Sequence, residues 1–169
     1  MNEIINRVAQ SPLITINLEE IYPKEERIVF DLEPFLFEGL MLREKEFRAA
    51  LKEVNWINYE GKWIAITCSA DAIVPNWAFM LVATYLTPIS KGYAIGSLSE
   101  LEIMIADQLV AQLDPEDYNG KPVVVKGCSD YPVPLFAYGR IISQIQGKAK
   151  SIMYGEPCST VPLFKKQSS

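Results

Sequence analysis

Apolar residues in the last two thirds of the chain form runs of two lengths. The short runs hold β-forming residues, are bounded by Gly, Lys or Pro, and predict strands at 62–67, 92–96, 122–127 and 150–155. The long runs begin at a proline, which suits a first helical turn because that turn needs no N–H. They predict helices at 75–87 and 134–146. The order of strand, helix and strand therefore occurs twice in the sequence.

A third predicted helix joins these two copies. Ser97-Leu98-Ser99-Glu100 is a capping box, in which serine and glutamate side chains bond to each other's backbone N–H groups. Apolar residues follow at fourfold spacing, which is typical of one buried helix face, and they are Leu101, Ile105, Leu109 and Leu113. The helix is expected to end before Asp114-Pro115.

The two copies also share residue identities. A shift of 59 residues places Tyr59, Gly61 and Lys62 on Tyr118, Gly120 and Lys121. The match slips by one residue at the thiols, because Cys68 aligns with Gly127 and not with Cys128. We interpret the pattern as an internal structural repeat.

Tandem β-α-β units predict an α/β fold with a parallel sheet, because right-handed crossovers bring successive strands together in one direction. We expect one sheet, in which the strand at 62–67 lies between those at 92–96 and 122–127, with 150–155 outermost. Ligands of such sheets bind beyond the carboxyl ends of the strands, at the point where the strand order reverses. That edge is where a site is expected.

The N-terminal part of the chain has a different pattern. Residues 1–58 are expected to form an α+β segment packed on the repeat core of 59–164, with strands at 13–18 and 27–32 and a helix at 43–54. All of 1–169 is expected to be a single domain, since the length suffices for one sizeable core.

Composition narrows the classes of function. The net charge of −5 argues against nucleic acid, which requires a clustered basic face. No signal peptide or membrane-spanning run is evident, so a cytoplasmic protein with reduced thiols and no membrane partner is expected. Histidine is absent, which excludes Ser-His-Asp triads, Cys-His pairs and histidine-bearing zinc sites. Sheet edges of this kind also permit a homodimer.

Each of the three cysteines belongs to the same short motif, in which Cys-Ser is followed within a few residues by Val-Pro. Cys68 and Cys128 follow predicted strands that are expected to be neighbours, and Cys158 follows the last predicted strand. Their sulfur atoms are therefore expected to converge at one edge of the sheet. Because soft thiolates suit zinc and iron–sulfur clusters, we predict a metal or iron–sulfur site made by the three thiols.

Oxygen atoms beside the thiols are auxiliary candidates. Asp71, Asp130 and Glu156 each lie within three residues of a cysteine and offer a fourth ligand. The residue after each cysteine is a serine, expected to cap a helix or form a turn rather than act as a nucleophile, and these are Ser69, Ser129 and Ser159.

Two other interpretations of the thiols stay open. One or two of them could be reactive groups for sulfur transfer or redox chemistry. Cys158 would then be the leading nucleophile. Since no histidine is present, backbone N–H groups or a nearby lysine such as Lys126 would activate it. Alternatively, all three are small buried residues of a structural or interaction module.

Residues 66–75 and 155–163, together with shorter stretches at 38–45 and 126–129, resemble the bacterial family called domain of unknown function 2480. The resemblance covers nearly the whole chain. It implies no activity, because none is assigned to the family. Genes of the family often lie near iron–sulfur assembly genes of the sulfur-mobilisation type, so the resemblance implies iron–sulfur assembly proteins as partners.

Overall fold

The computed structural model describes residues 12–127, 132–156 and 158–167. The chain divides into two compact units, each with its own sheet. The first unit comprises Lys24–Met104, and the second comprises Met1–Pro23 together with Ile105–Ser169. The assignment of the whole chain to a single domain stays a prediction.

Within the described residues, seven strands alternate with five α-helices. The strands are β1 (Ile14–Asn17), β2 (Arg27–Asp31), β3 (Trp63–Thr67), β4 (Gly92–Ile95), β5 (Pro122–Lys126), β6 (Ser151–Glu156) and β7 (Ser159–Lys165). The α-helices are α1 (Leu18–Ile21), α2 (Glu44–Glu53), α3 (Asn76–Leu86), α4 (Leu98–Ala111) and α5 (Leu135–Ile145). The α/β class with parallel β-α-β units is confirmed. Among the described residues, none of the helices could span a lipid bilayer.

The first unit holds a parallel sheet of order β2-β3-β4. The central strand β3 reads Trp-Ile-Ala-Ile-Thr, and its first four residues are buried because a central parallel strand is covered on both faces. Side chains from the sheet and from two helices form its core, and these are Phe30, Leu32, Phe47, Leu51, Ile64, Ile66, Ala78, Val82 and Leu86.

The second unit holds a sheet of order β1-β5-β6-β7. Its first three strands are parallel, whereas β7 folds back antiparallel to β6 through a tight turn at Cys158. The sequence pattern did not predict β7. Pro162 interrupts its β-forming run, and the pairing accommodates that proline through a register shift between Ile152 and Met153.

The predicted order of one continuous sheet is wrong. Strands β3 and β5 were expected to be neighbours, but each pairs instead with a strand of the N-terminal segment, β3 with β2 and β5 with β1. A strand has only two edges, and those of β3 are already occupied by β2 and β4. The N-terminal segment is thus shared between the two sheets.

The internal repeat is confirmed at the level of backbone hydrogen bonds. Helices α3 and α5 have the same length, and their bounds differ by the 59-residue shift. The Gly61 N–H donates to the Ile89 carbonyl at 2.9 Å, and the Gly120 N–H donates to the Lys148 carbonyl at 3.0 Å. Both glycines have positive φ, at 66° and 68°, so the same turn precedes β3 and β5.

Candidate functional site

An open cavity of about 300 Å³ lies at the carboxyl ends of β3 and β4. A parallel sheet places ligands beyond this edge, because the loops that leave the strands can shape a crevice there. The residues that line the cavity come from β3, the loop after it, α3 and the end of β4, and they are Ile66, Thr67, Cys68, Ala70, Ala72, Val74, Phe79, Ile95 and Gly96. We call this space the Cys68 cavity.

Cys68 is the first residue after β3 and is half-buried. Its Sγ lies 3.8 Å from the Ala70 carbonyl oxygen, to which the thiol donates. Only Cys68 and Thr67 bring polar side-chain atoms to the cavity wall, and all residues of that wall are described. The reactive group available to a molecule in the cavity is therefore the thiol.

Asp31, at the end of β2, holds the loop that carries Cys68. Its Oδ1 accepts hydrogen bonds from the Ser69 N–H at 3.0 Å and from the Glu33 N–H at 2.9 Å. Partial burial raises the pKa of Asp31, but hydrogen bonds from the Ser69 hydroxyl and from these N–H groups outweigh it and hold the pKa below its ordinary value. The carboxylate is therefore ionised at neutral pH.

Ser69 therefore binds Asp31 and does not cap a helix. The residue before α3 is Pro75, and it makes no side-chain cap. Asp31 was not predicted as a site residue, although the sequence places a carboxylate as the last polar residue of a predicted strand. Asp71 is exposed in the same loop.

The predicted capping box follows the carboxyl end of β4, at the same edge of the sheet as the Cys68 cavity. The Ser97 N–H donates to Glu100 Oε2 at 2.6 Å, and the Glu100 N–H donates to the Ser97 hydroxyl at 3.4 Å. The bond from the Ser97 N–H is the main cause that lowers the pKa of Glu100. Gly96 has a φ of 143°, and a β-carbon there would meet the Glu100 carboxylate, so the turn from β4 into α4 needs glycine.

The position equivalent to Cys68 in the second unit packs against an aromatic ring. Gly127 stands where Cys68 stands in the first unit, and a β-carbon on it would overlap the Tyr138 ring. Tyr154 donates its hydroxyl hydrogen to the Gly127 carbonyl at 3.1 Å, and the two tyrosine rings pack edge to face, with centroids 6.0 Å apart.

In the second unit, the described candidate site residues lie around the hairpin turn between β6 and β7. Cys158 is exposed in the turn between β6 and β7, and Ser159 begins β7. Glu156 Oε2 lies 3.0 Å from Lys126 Nζ, so the two side chains form an ion pair. Cys128, Ser129 and Asp130 lie outside the described residues.

The family model for a protein of unknown function, DUF2480, matches residues 2–166. The chain belongs to the DUF2480 family. No curated protein and no solved structure matches the chain. The description of DUF2480 states no activity, so the chemistry of this member has to be argued from its own residues.

The described part of this DUF2480 chain contains no group of three or more Cys, Asp or Glu side chains that could hold a metal ion. Cys68 belongs to the first unit and Cys158 to the second, and the strands that precede Cys68 and Cys128 are in different sheets. The expectation that the thiols meet on neighbouring strands of one sheet is therefore wrong for that pair. Because Cys128 is not described, the site of Cys68, Cys128 and Cys158 stays a prediction.

Proposed function

We propose that the protein handles sulfur at Cys68, whose thiol accepts a sulfane sulfur atom from a persulfide donor and holds it in the Cys68 cavity. The observation that carries the proposal is the position of Cys68. Its half-buried thiol lies on the wall of an open cavity, where only Cys68 and Thr67 bring polar side-chain atoms.

The residues around Cys68 favour exchange at sulfur over other thiol chemistry. Acyl transfer needs a general base, whereas only Cys68 and Thr67 bring polar side-chain atoms to the cavity wall and the chain has no histidine. Exchange at sulfur needs only a thiolate and access to the sulfur that is attacked. A cavity of about 300 Å³ has room for a small donor.

The proposed step transfers one sulfur atom. The Cys68 thiol loses its proton to solvent, and the thiolate attacks the outer sulfur of the donor persulfide. A new S–S bond forms on Cys68 as the S–S bond of the donor breaks. The electron pair of that bond leaves on the donor thiolate, which takes up a proton. The thiol must be reduced before the step, which fits a reducing compartment such as the cytoplasm.

Incubation with a small persulfide donor, followed by mass spectrometry of the intact protein, tests this proposal. We expect one added sulfur atom that resists mild alkylation of surface thiols and is lost in Cys68→Ser. The matched control is Cys158→Ser, which removes an exposed thiol and should leave the added sulfur in place. Sulfur that is absent from the wild type, or that follows Cys158, contradicts the proposal.

A second candidate function is the three-cysteine site predicted from the sequence, which would bind zinc or an iron–sulfur cluster and work with iron–sulfur assembly proteins. The observation that favours it is the edge of the second sheet. Exposed Cys158 lies just past β6, and the pair of Lys126 and Glu156 joins the carboxyl ends of β5 and β6. Cys128 follows β5 by two residues.

Anaerobic purification with metal analysis and absorption spectroscopy tests the metal site. Stoichiometric metal that is lost when Cys68, Cys128 and Cys158 are all replaced by serine supports it. Metal that survives those replacements contradicts it. The two candidates are separable, because added sulfur depends on Cys68 alone.

A further inference from the structure

Cations of the first unit lie at the amino ends of its parallel strands. Arg27 begins β2, and Lys62 and Lys91 directly precede β3 and β4. Each of the three forms an ion pair with a glutamate of the same unit. The Cys68 cavity lies at the opposite ends of the strands, about 13 Å or more away along the sheet. That distance exceeds the Debye length of about 8 Å at physiological ionic strength, so these cations have little influence on a charge at the cavity.

Carboxylates lie at the other end of the same sheet, beside the Cys68 cavity. Asp31 accepts a hydrogen bond at 3.0 Å from the Ser69 N–H, whose nitrogen is bonded directly to the carbonyl carbon of Cys68. Glu100 lies beside Gly96 of the cavity wall, because its carboxylate occupies the space that a β-carbon on Gly96 would need. Both pKa values are below the ordinary ones, so the two carboxylates are fully charged at neutral pH.

No cation on the cavity wall compensates for these charges. The residues that line the cavity are all described, and none of them is a lysine or an arginine. Asp71 is exposed between two of them, Ala70 and Ala72, and adds a third carboxylate to the loop. Helix α3 follows this loop, and its N-terminus supplies about half of a positive charge, which three whole negative charges outweigh.

We propose that the Cys68 cavity selects its sulfur donor by charge, accepting small persulfides that are neutral or cationic and excluding anionic ones. The inference rests on the proposed function for the nature of the donor, and the charges around the cavity supply the selection. An anionic donor approaches three carboxylates at a wall that offers no cation to pair with it. A cationic donor is attracted by the same carboxylates.

Asp31 and Glu100 are therefore specificity-determining residues for the reaction at Cys68. Neither has to touch the donor, because the interaction between whole charges acts over several ångströms of water. A carboxylate about 7 Å from a reagent's charge, screened by 0.1 M salt, changes the ratio of cationic to anionic rates about threefold. Two such carboxylates change the ratio about tenfold.

Methanethiosulfonates of opposite charge test the selection without any persulfide. The Cys68 thiolate attacks such a reagent, forms a disulfide with its thioethyl group and releases methanesulfinate. Rates with the trimethylammonium and the sulfonate reagent are measured on the full chain by peptide mass mapping, and each is divided by its rate with a free thiol in solution. We expect the cationic reagent to be favoured at Cys68 about tenfold, and less as salt is added. A ratio of one or less overturns the proposal.

Amide replacements assign the effect to the two carboxylates. Asp31→Asn keeps an oxygen that can accept from the Ser69 N–H, and Glu100→Gln keeps one for the Ser97 N–H. Each should lower the ratio about threefold. A loop that opens more often raises both rates alike, so a ratio that neither variant changes overturns the proposal. The matched control is Glu60→Gln, which removes an exposed carboxylate from the turn before β3 and should leave the ratio unchanged.

Two small persulfides separate this inference from the proposed function. The persulfide of cysteamine is cationic and that of mercaptoacetate is anionic, so Cys68 should gain sulfur several-fold faster from the first. If neither persulfide adds sulfur while the methanethiosulfonate ratio stays above one, the proposed function fails and the charge selection at the thiol stands. If both persulfides add sulfur equally fast, the proposed function stands and the charge selection is overturned.

Discussion

The Asp31 carboxylate accepts a hydrogen bond from the Ser69 backbone N–H at 3.0 Å, across 38 residues of sequence. This contact joins the end of β2 to the residue that follows Cys68. It makes the position of the thiol depend on the neighbouring strand and not only on its own loop.

Replacing Asp31 with alanine should loosen the loop around Cys68. Two backbone N–H groups lose their acceptor, and we expect stability to fall by about 1–2 kcal/mol. Alkylation of Cys68 should become several-fold faster, because the loop opens more often. Denaturant unfolding and peptide mass mapping measure the two effects. Asp71→Ala in the same loop is the control, and equal effects from both variants would contradict the role of Asp31.

The two described cysteines should differ in reactivity without any mutation. Cys158 is exposed in a hairpin turn, whereas Cys68 is half-buried in its cavity. Stopped-flow reaction with a bulky disulfide reagent, read by peptide mapping, should modify Cys158 before Cys68. Modification in the reverse order would show that the Cys68 cavity is more open than its lining residues indicate.

Acid should destabilise the first unit through three carboxylates, those of Glu25, Asp31 and Glu100. Their pKa values are lowered in the folded chain from reference values of 4.5, 3.8 and 4.5. A depressed folded pKa contributes stability that is complete above the unfolded pKa and is lost as pH falls through the folded one. Unfolding free energy should therefore be flat near neutrality and decline below about pH 4.5. Asp31→Asn should reduce the slope of the unfolding free energy against pH. An unchanged slope would show that the Asp31 carboxylate does not contribute to it.

Gly127→Ala should destabilise the second unit, because the new methyl group overlaps the Tyr138 ring. Overpacking of this kind costs about 1–3 kcal/mol. The added Tyr138→Ala change should relieve part of that cost, as measured in a double-mutant cycle. If Gly127→Ala is as stable as the wild type, the Tyr138 ring does not fill the space that corresponds to the Cys68 side chain of the first unit.

Gly139→Ala is the matched glycine variant and should have the opposite sign. Gly139 lies within α5, and a β-carbon there meets no atom within 4 Å. Alanine should stabilise the helix by about 0.8–1 kcal/mol, since it loses less backbone entropy than glycine. Thermal unfolding of both variants under one set of conditions gives the comparison.

Local sequence patterns suffice to predict the helices, most of the strands and their repetition. Helix α3 was predicted at 75–87 and runs over Asn76–Leu86, and the capping box at Ser97 begins α4 as expected. These features depend on hydrophobic spacing and on side chains within a few residues of each other. A short stretch of sequence is therefore enough to determine each of them.

Tertiary structure alone decided which strands are neighbours and what surrounds the thiols. Strands β1 and β2 join different sheets because β3 and β5 each accept a partner on a free edge, and similar apolar strands satisfy such an edge equally well. The bond from Ser69 to Asp31 and the ring above Gly127 likewise depend on residues distant in sequence. Local patterning determines which residues form a strand, but hydrogen bonding between strands selects its partner only when the chain has folded.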